Sequence, residues 1–84
     1  MGRAKAIIIK AVDNVATATS EILPETDIIL KTNKNNLKIH VLERIPFGHK
    51  FAIKSIDKNE KIIKYGEAIG VASKNIKVGE HVHV

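Results

Sequence analysis

The sequence has 84 residues, 44% of them hydrophobic, and a formal net charge of +5, which suits one small domain that we predict to span residues 1–84. It has no cysteine, which excludes disulfides and thiolate metal sites, and its longest apolar run, residues 6–9, is far too short to cross a membrane. Lysines are interleaved with acids and no aromatic pair flanks a basic run, so the charge favours anionic substrates or an acidic partner over nucleic acid. Because a small domain without disulfides suits the cytoplasm, we expect a cytoplasmic protein.

The N-terminal half predicts strands and one short helix. Residues 4–11 are alternating and β-branched, which favours a first strand. The apolar spacing of residues 15–22 is compatible with a turn or two of helix, which Asp13 or Asn14 would cap and Pro24 would end. Residues 27–32 and 37–43 are predicted strands on either side of an Asn-rich turn at 33–36, so residues 28–42 are predicted to form a hairpin.

The C-terminal half predicts only short strands, at residues 51–56, 61–65, 69–72 and 81–84. A degenerate pattern links these strands: a β-branched residue, two residues, a turn residue, two more residues and an apolar residue. It occurs as Ile45…Gly48…Phe51, Ile56…Asn59…Ile62, Ile76…Gly79…Val82 and, more weakly, Ile22…Glu25…Ile28. Gly and Asn stand where a type I turn with a bulge needs positive φ, whereas Glu25 predicts a different turn. The fold class is therefore all-β, with one short helix.

Three histidines are candidates for a site. His81 and His83 are two residues apart in a predicted strand, so their imidazoles share a face and could ligate a metal, or could be exposed on a frayed strand. His49 follows a turn glycine and precedes Lys50, which places a base beside a cation; it could equally cap the turn. Because the Ile45 and Ile76 copies of the pattern are the most alike, we predict that His49, His81 and His83 converge on one edge. His40, within a strand, is expected to be a surface or core histidine.

Lys64 and Tyr65 are the other candidates, in a K-Y-G-E-x-I-G block. A lysine can neutralise a substrate carboxylate, and a tyrosine hydroxyl can donate a hydrogen bond to a developing oxyanion. The alternative is purely structural, with Tyr65 in the core, its hydroxyl at the rim, and Lys64 solvated.

Four motifs carry a family resemblance: D-N-V-A at residues 13–16, I-P-x-G-H-K at 45–50, K-Y-G-E-x-I-G at 64–70 and G-E-H-V-H at 79–83. These motifs span most of the chain, and in their order and spacing they resemble those of the SAF domain of the altronate and galactarate dehydratase family. The same domain is also the small subunit of sulfolactate sulfo-lyase. The resemblance implies a SAF domain with a β-clip fold.

The resemblance also implies a function: the small subunit of a two-component sugar-acid dehydratase, a hydro-lyase that is inactive without a large catalytic subunit. The substrate would be an acidic sugar or a sulfo-acid, and a divalent metal, iron or manganese, is expected in the full complex. We predict that His49, Lys50, Lys64 and Tyr65 serve catalysis and that His81 and His83 bind the metal.

A second hypothesis is a stand-alone SAF module that binds a carbohydrate, an acid or a protein without catalysis, because a fold does not fix a function. Only such a module should bind a sugar acid unaided. Exposed strand edges would also allow a homo-oligomer. The particular acid, and whether water or sulfite is eliminated, are left open by the sequence.

Overall fold

The described residues are 6–7, 12–31 and 36–82 of a computed structural model, and they form eight short strands joined by turns. The strands are β1 (Ala6–Ile7), β2 (Val15–Ala18), β3 (Thr26–Lys31), β4 (Asn36–Val41), β5 (Lys50–Ala52), β6 (Lys61–Lys64), β7 (Glu67–Val71) and β8 (His81–Val82). No helix occurs among these residues, and the predicted all-β class is confirmed. The larger part of the predicted first strand, the predicted turn up to residue 35 and residues 83–84 lie outside the described residues.

The short helix predicted over residues 15–22 is wrong, because Val15–Ala18 is strand β2. This strand pairs antiparallel with β1 on one side and β5 on the other, so neighbouring strands satisfy its backbone hydrogen bonds. Asp13 and Asn14 do not cap a helix. The Asn14 amide oxygen accepts a hydrogen bond from the Ile63 N–H at 2.8 Å, and its amide nitrogen donates to the Lys61 carbonyl at 2.9 Å.

A four-stranded antiparallel sheet in the order β1-β2-β5-β8 forms the centre of the domain, flanked by the β3–β4 and β6–β7 hairpins. In the central sheet, Thr17 lies opposite Lys50 and Lys50 opposite Val82, while Ala16 lies opposite Phe51 and Phe51 opposite His81. The β3–β4 pairing confirms the predicted hairpin over residues 28–42.

The two faces of the central sheet pack into two different cores, because neighbouring residues of a strand point to opposite faces. The first core consists of Ala16, Ala18, Ile22, Ile28, Leu30, Ile39, Val41, Ile45, Phe51 and Ile53. The second core consists of Val15, Ala52, Ile56, Ile62, Ala72, Ile76 and Val82. The central sheet therefore has a first face and a second face, and each of its side chains can be assigned to one of them.

The turn residues of the four copies of the sequence pattern have one backbone feature in common. The turn residue has a positive φ in every copy: 61° at Glu25, 82° at Gly48, 75° at Asn59 and 91° at Gly79. Glu25, which was predicted to mark a different turn, thus shares the positive φ of the other three turn residues. In the last three copies the carbonyl two residues before the turn residue accepts from the N–H one residue after it, at 2.9–3.0 Å. A hydrogen-bonded turn with positive φ at its third residue is a type II turn, not the type I turn that the pattern suggested.

The first isoleucines of the copies join in pairs. Ile22 and Ile45 exchange two backbone hydrogen bonds of 2.9 Å, and Ile56 and Ile76 exchange bonds of 2.9 and 2.7 Å. All four side chains are buried. Each pair closes one core, so the pattern brings two turns together at each bridge.

Asp13 fixes the β6–β7 hairpin to the central sheet. Its side chain is buried, and its carboxylate accepts from the Tyr65 N–H at 3.0 Å and from the Gly66 N–H at 2.8 Å. Both residues have positive φ, so two successive backbone donors in the hairpin turn point at one carboxylate.

Replacement of Asp13 should therefore loosen this hairpin. We expect Asp13→Ala to lower the free energy of unfolding by about 1–3 kcal/mol, because two backbone donors lose a charged acceptor. Urea unfolding followed by circular dichroism measures the loss. Asp57→Ala, which removes an exposed carboxylate, is the control and should change stability by no more than about 0.5 kcal/mol. Equal effects of the two variants would contradict the anchoring role.

Candidate functional site

The His49 and His81 side chains, which we call the histidine pair, meet at the edge of the central sheet. The His49 Nδ1 and His81 Nε2 atoms are 3.0 Å apart, and the ring planes differ by 19°. His49 ends the Pro46–His49 turn that leads into β5, and His81 begins β8, which pairs with β5. The structure thus brings together two of the three histidines that were predicted to converge. His83 lies outside the described residues, and the roles of all three stay predictions.

The geometry of the pair is that of a hydrogen bond between ring edges. The ring centroids are 5.1 Å apart, whereas the facing nitrogens are 3.0 Å apart. The difference is nearly the width of one imidazole ring, so the two rings meet edge to edge through these nitrogens and do not stack face to face. One imidazole must donate and the other accept, so at least one of the facing nitrogens carries no proton. Such a pair can take up one proton and share it, which is the property that a general acid or base requires.

The histidine pair alone does not make a metal site. Its two nitrogens point at each other, and no group of three or more His, Cys, Asp or Glu residues suited to a metal occurs in residues 12–31 and 36–82. The Glu43 Oε2 atom accepts a hydrogen bond from the His81 backbone N–H at 3.1 Å. A divalent ion would need ligands beyond these residues.

Lys50 begins strand β5 and Lys64 ends strand β6, and we call these two residues the lysine edge. Burial lowers the pKa of the Lys50 ammonium, and the positive charge of Lys64 lowers that pKa further. The Lys64 Nζ atom is 5.0 Å from the centroid of the Tyr65 ring. Tyr65 itself is 48% exposed in the turn that Asp13 holds, so the alternative interpretation of Tyr65 as a core residue is wrong.

The histidine pair and the lysine edge lie on opposite faces of the central sheet. His81 lies opposite Phe51, a member of the first core, whereas Lys50 lies opposite Val82, a member of the second core. The predicted catalytic residues therefore divide into an imidazole group and an ammonium group that flank one sheet edge, instead of forming one cluster.

His40 has more polar contacts than its sequence context suggested. Its Nδ1 atom is 2.6 Å from Asp27 Oδ1, and its Nε2 atom is 2.8 Å from Glu25 Oε1. Asp27 lies directly opposite His40 in the β3–β4 register, so the predicted hairpin contained the signal for this contact. Glu25 joins through its positive-φ turn, which the sequence did not reveal. Hydrogen bonds to Asp27 first and Glu25 second raise the pKa of His40 above its ordinary 6.5, and the bond to His40 lowers the pKa of Asp27.

The His40 contacts predict a specific pH dependence of stability. A pKa that is raised by folding gives stabilisation that is complete below the unfolded pKa of 6.5 and is lost as pH rises through the folded-state pKa. The lowered pKa of Asp27 gives stabilisation that is present above 3.8 and is lost as pH falls through its folded-state pKa. The unmodified chain should therefore exceed His40→Gln in stability by the largest amount between pH 3.8 and pH 6.5.

Lys38→Gln is the control, because it removes the other cation near Asp27, whose Nζ atom is 4.0 Å from Asp27 Oδ2. This variant keeps His40, so its stability should still fall as pH rises through the folded-state pKa of His40. A stability difference between the unmodified chain and His40→Gln that stays constant from pH 4 to pH 9 would contradict this prediction.

Comparison with known proteins identifies the family of this domain. The family model described as the altronate/galactarate dehydratase SAF domain matches residues 4–84. The chain belongs to this family. Altronate dehydratase of Bacillus subtilis is 50% identical over 48 residues, which are 57% of this chain and 10% of that protein. Altronate dehydratase of Escherichia coli is 38% identical over 77 residues, 92% of this chain and 15% of that protein. The (2R)-sulfolactate sulfo-lyase subunit alpha of Chromohalobacter salexigens is 46% identical over 48 residues, 57% of this chain and 51% of that subunit.

The chain thus spans a small part of the two dehydratases and about half of the sulfo-lyase subunit. The predicted family is confirmed, and this SAF domain is one associated with dehydratases and related lyases. Within residues 12–31 and 36–82, no helix is long and apolar enough to cross a membrane.

Proposed function

We propose that this SAF domain acts as the small subunit of a two-component lyase that eliminates water from a sugar acid of the altronate or galactarate type. Its role is to supply side chains to a site that it shares with a large catalytic subunit. The name of the sulfo-lyase relative, a subunit alpha, supports an assembly of more than one chain. The observation that carries the proposal is the histidine pair, with its 3.0 Å contact at the edge of the sheet.

The chemistry explains why two imidazoles would be useful there. Elimination of water from a 2,3-dihydroxy acid removes the weakly acidic proton beside the carboxylate and expels the 3-hydroxyl, whose oxygen must be protonated as it leaves. A hydrogen-bonded imidazole pair can accept a proton at one nitrogen and release one from another. In our proposal His49 transfers protons in this way, held in place by its hydrogen bond to His81, and the large subunit holds the reacting carbons against it.

The ammonium groups would act on charge instead of on protons. The partly buried Lys50 and Lys64 lie on the other face of the sheet, where their positive charge can attract an acidic substrate. Tyr65, exposed beside Lys64, is available to donate a hydrogen bond to a substrate oxygen.

The expected metal remains a proposal. Iron or manganese would stabilise the enediolate formed when the proton is removed. We propose that His81 and His83 would be this chain's ligands, completed by donors of the large subunit.

Co-purification tests the partnership. A tagged form of this chain, expressed in its native organism, should retain a large dehydratase-type subunit. Calorimetric titration of the purified chain with altronate and galactarate tests the alternative. Tight binding of a sugar acid by the chain alone, with no large subunit retained, would favour the stand-alone module and overturn the two-component proposal.

A further inference from the structure

A row of side chains on the second face of the central sheet, the face opposite the histidine pair, suggests an anion site. Thr17, Lys50 and Val82 lie opposite one another across β2, β5 and β8, so their side chains share this face. Strand β6 is fixed next to this row, because the Asn14 N–H donates to the Ile63 carbonyl at 3.1 Å and the Asn14 side chain accepts from the Ile63 N–H. Lys64 follows Ile63 at the end of β6, and its positive charge acts on the Lys50 ammonium.

The two ammonium groups lack a compensating charge. Among the described residues, neither Lys50 nor Lys64 forms an ion pair with a carboxylate, and the positive charge of Lys64 disfavours the charged form of Lys50. Two like charges held together without a counter-charge are unfavourable, and an anion bound between them would relieve the repulsion. Lys50 is also recessed, since it is partly buried, which suits a small anion that can enter between side chains.

Thr17 adds an unused hydrogen-bonding group to the same row. Its hydroxyl oxygen is buried and has no hydrogen-bond partner within the described part of the chain. Because a buried hydroxyl without a partner is costly, a group that completes its bonding when a ligand enters would be stabilising.

We propose that Lys50 and Lys64, with the Thr17 hydroxyl beside them, bind a single oxyanion group of carboxylate or sulfonate type. This inference rests on the proposed function in one respect, namely that the group belongs to the acid substrate. The site itself is defined by the second face and is separate from the histidine pair. In this arrangement the lysine edge binds the substrate, and the histidine pair serves proton transfer.

The test is a titration of the full chain, labelled with ¹³C at the lysine ε-carbons, with sodium malonate or sodium methanesulfonate, using sodium chloride at equal ionic strength as the reference. We expect saturable shifts that are largest at Lys50 and Lys64, with a rise in the pKa of Lys50. Lys50→Gln and Lys64→Gln should each weaken malonate binding at least about fivefold, the loss of one unit-charge contact. Lys58→Gln removes the same charge at an exposed position and should change the affinity less than twofold.

Thr17→Val separates binding from folding. It should weaken malonate binding without lowering the melting temperature, because the hydroxyl has no partner to lose in the free chain. Equal weakening by Lys58→Gln and Lys50→Gln, or no saturable shift at Lys50, would overturn the site. A response to methanesulfonate alone would support it and assign it to sulfonates. Shifts at Lys50 that occur only with the large subunit, and not with either anion, would overturn it in favour of a protein carboxylate.

The outcome for the site is distinguishable from that of the proposed function. Malonate binding at Lys50 in a chain that forms no lyase complex would support the site and reject the lyase role. A working lyase complex whose activity and substrate KM are unaffected by Lys50→Gln would reject the site and leave the lyase role intact.

Discussion

Gly79→Ala is expected to destabilise the domain by about 4 kcal/mol or more, an exceptionally large effect for one methyl group. A Cβ atom at this position would lie 2.0 Å from the His40 carbonyl oxygen and 3.3 Å from the Leu42 nitrogen. These are backbone atoms of β4 and its exit, so they cannot rotate away. The Gly79 N–H also donates to the Ala52 carbonyl, and the Gly79 carbonyl accepts from the Leu42 N–H, at 2.8 and 2.9 Å, so Gly79 cannot move without breaking both bonds.

Gly48→Ala is the matched control for this variant. Gly48 has a similar φ, +82° against +91°, in an equivalent turn, but a Cβ atom there would meet nothing within 4 Å. Only the backbone strain of an L-residue at positive φ remains, about 1–2 kcal/mol. Urea unfolding of the three proteins measures both effects. If Gly79→Ala is too unstable to purify while Gly48→Ala is folded, the prediction holds; similar losses for the two variants would show that the close approach to β4 is wrong.

The second large effect concerns catalysis. In the complex reconstituted with its large subunit, His81→Ala and His49→Ala should each lower kcat by about 10²–10⁴, the usual contribution of a general acid or base. Neither substitution should lower stability by more than about 1 kcal/mol, because the hydrogen bond that is lost lies at the surface. Rate loss without unfolding is therefore the signature of a catalytic role.

His40→Gln is the control for the histidine variants. It removes another histidine, one whose contacts are with Glu25 and Asp27 instead of with the pair, and should leave kcat within about twofold of the unmodified complex. If all three histidine variants lose activity in proportion to their melting temperatures, the histidines act on stability and not on the reaction. Retention of full activity by His81→Ala would exclude the histidine pair as the proton-transfer group.

Much of the fold could be predicted from local sequence patterns. The alternation of apolar and polar residues in 27–32 and 37–43, with an Asn-rich segment between these two stretches, predicted the β3–β4 hairpin. The alternation is present because one face of that hairpin is buried and the other is solvated. Strand β2 was mistaken for a helix because both of its faces are buried. Val15, Ala16 and Ala18 are all apolar and, with Ile22, mimic helical spacing, although they divide between two cores.

The site was predictable only where the repeated pattern reached it. The likeness of the Ile45 and Ile76 turns placed His49 near His81, since equivalent turns lead into paired strands. The separation of His49 from Lys50 follows from strand alternation once β5 is known. By contrast, the row that contains Thr17 and Lys50 depends on pairing between distant strands, and the positive φ of Glu25 depends on its N–H bond to the Val41 carbonyl at 2.8 Å. Neither leaves a signal in the local sequence.

The most direct test of the central claim is the rate of elimination from altronate and galactarate, measured with the purified large subunit in the presence and absence of this chain. We expect turnover that rises with the concentration of added chain, saturates at a fixed stoichiometry, and is not restored by chain carrying His81→Ala. A large subunit that reaches the same rate without this chain would contradict the proposal that the SAF domain supplies part of the active site.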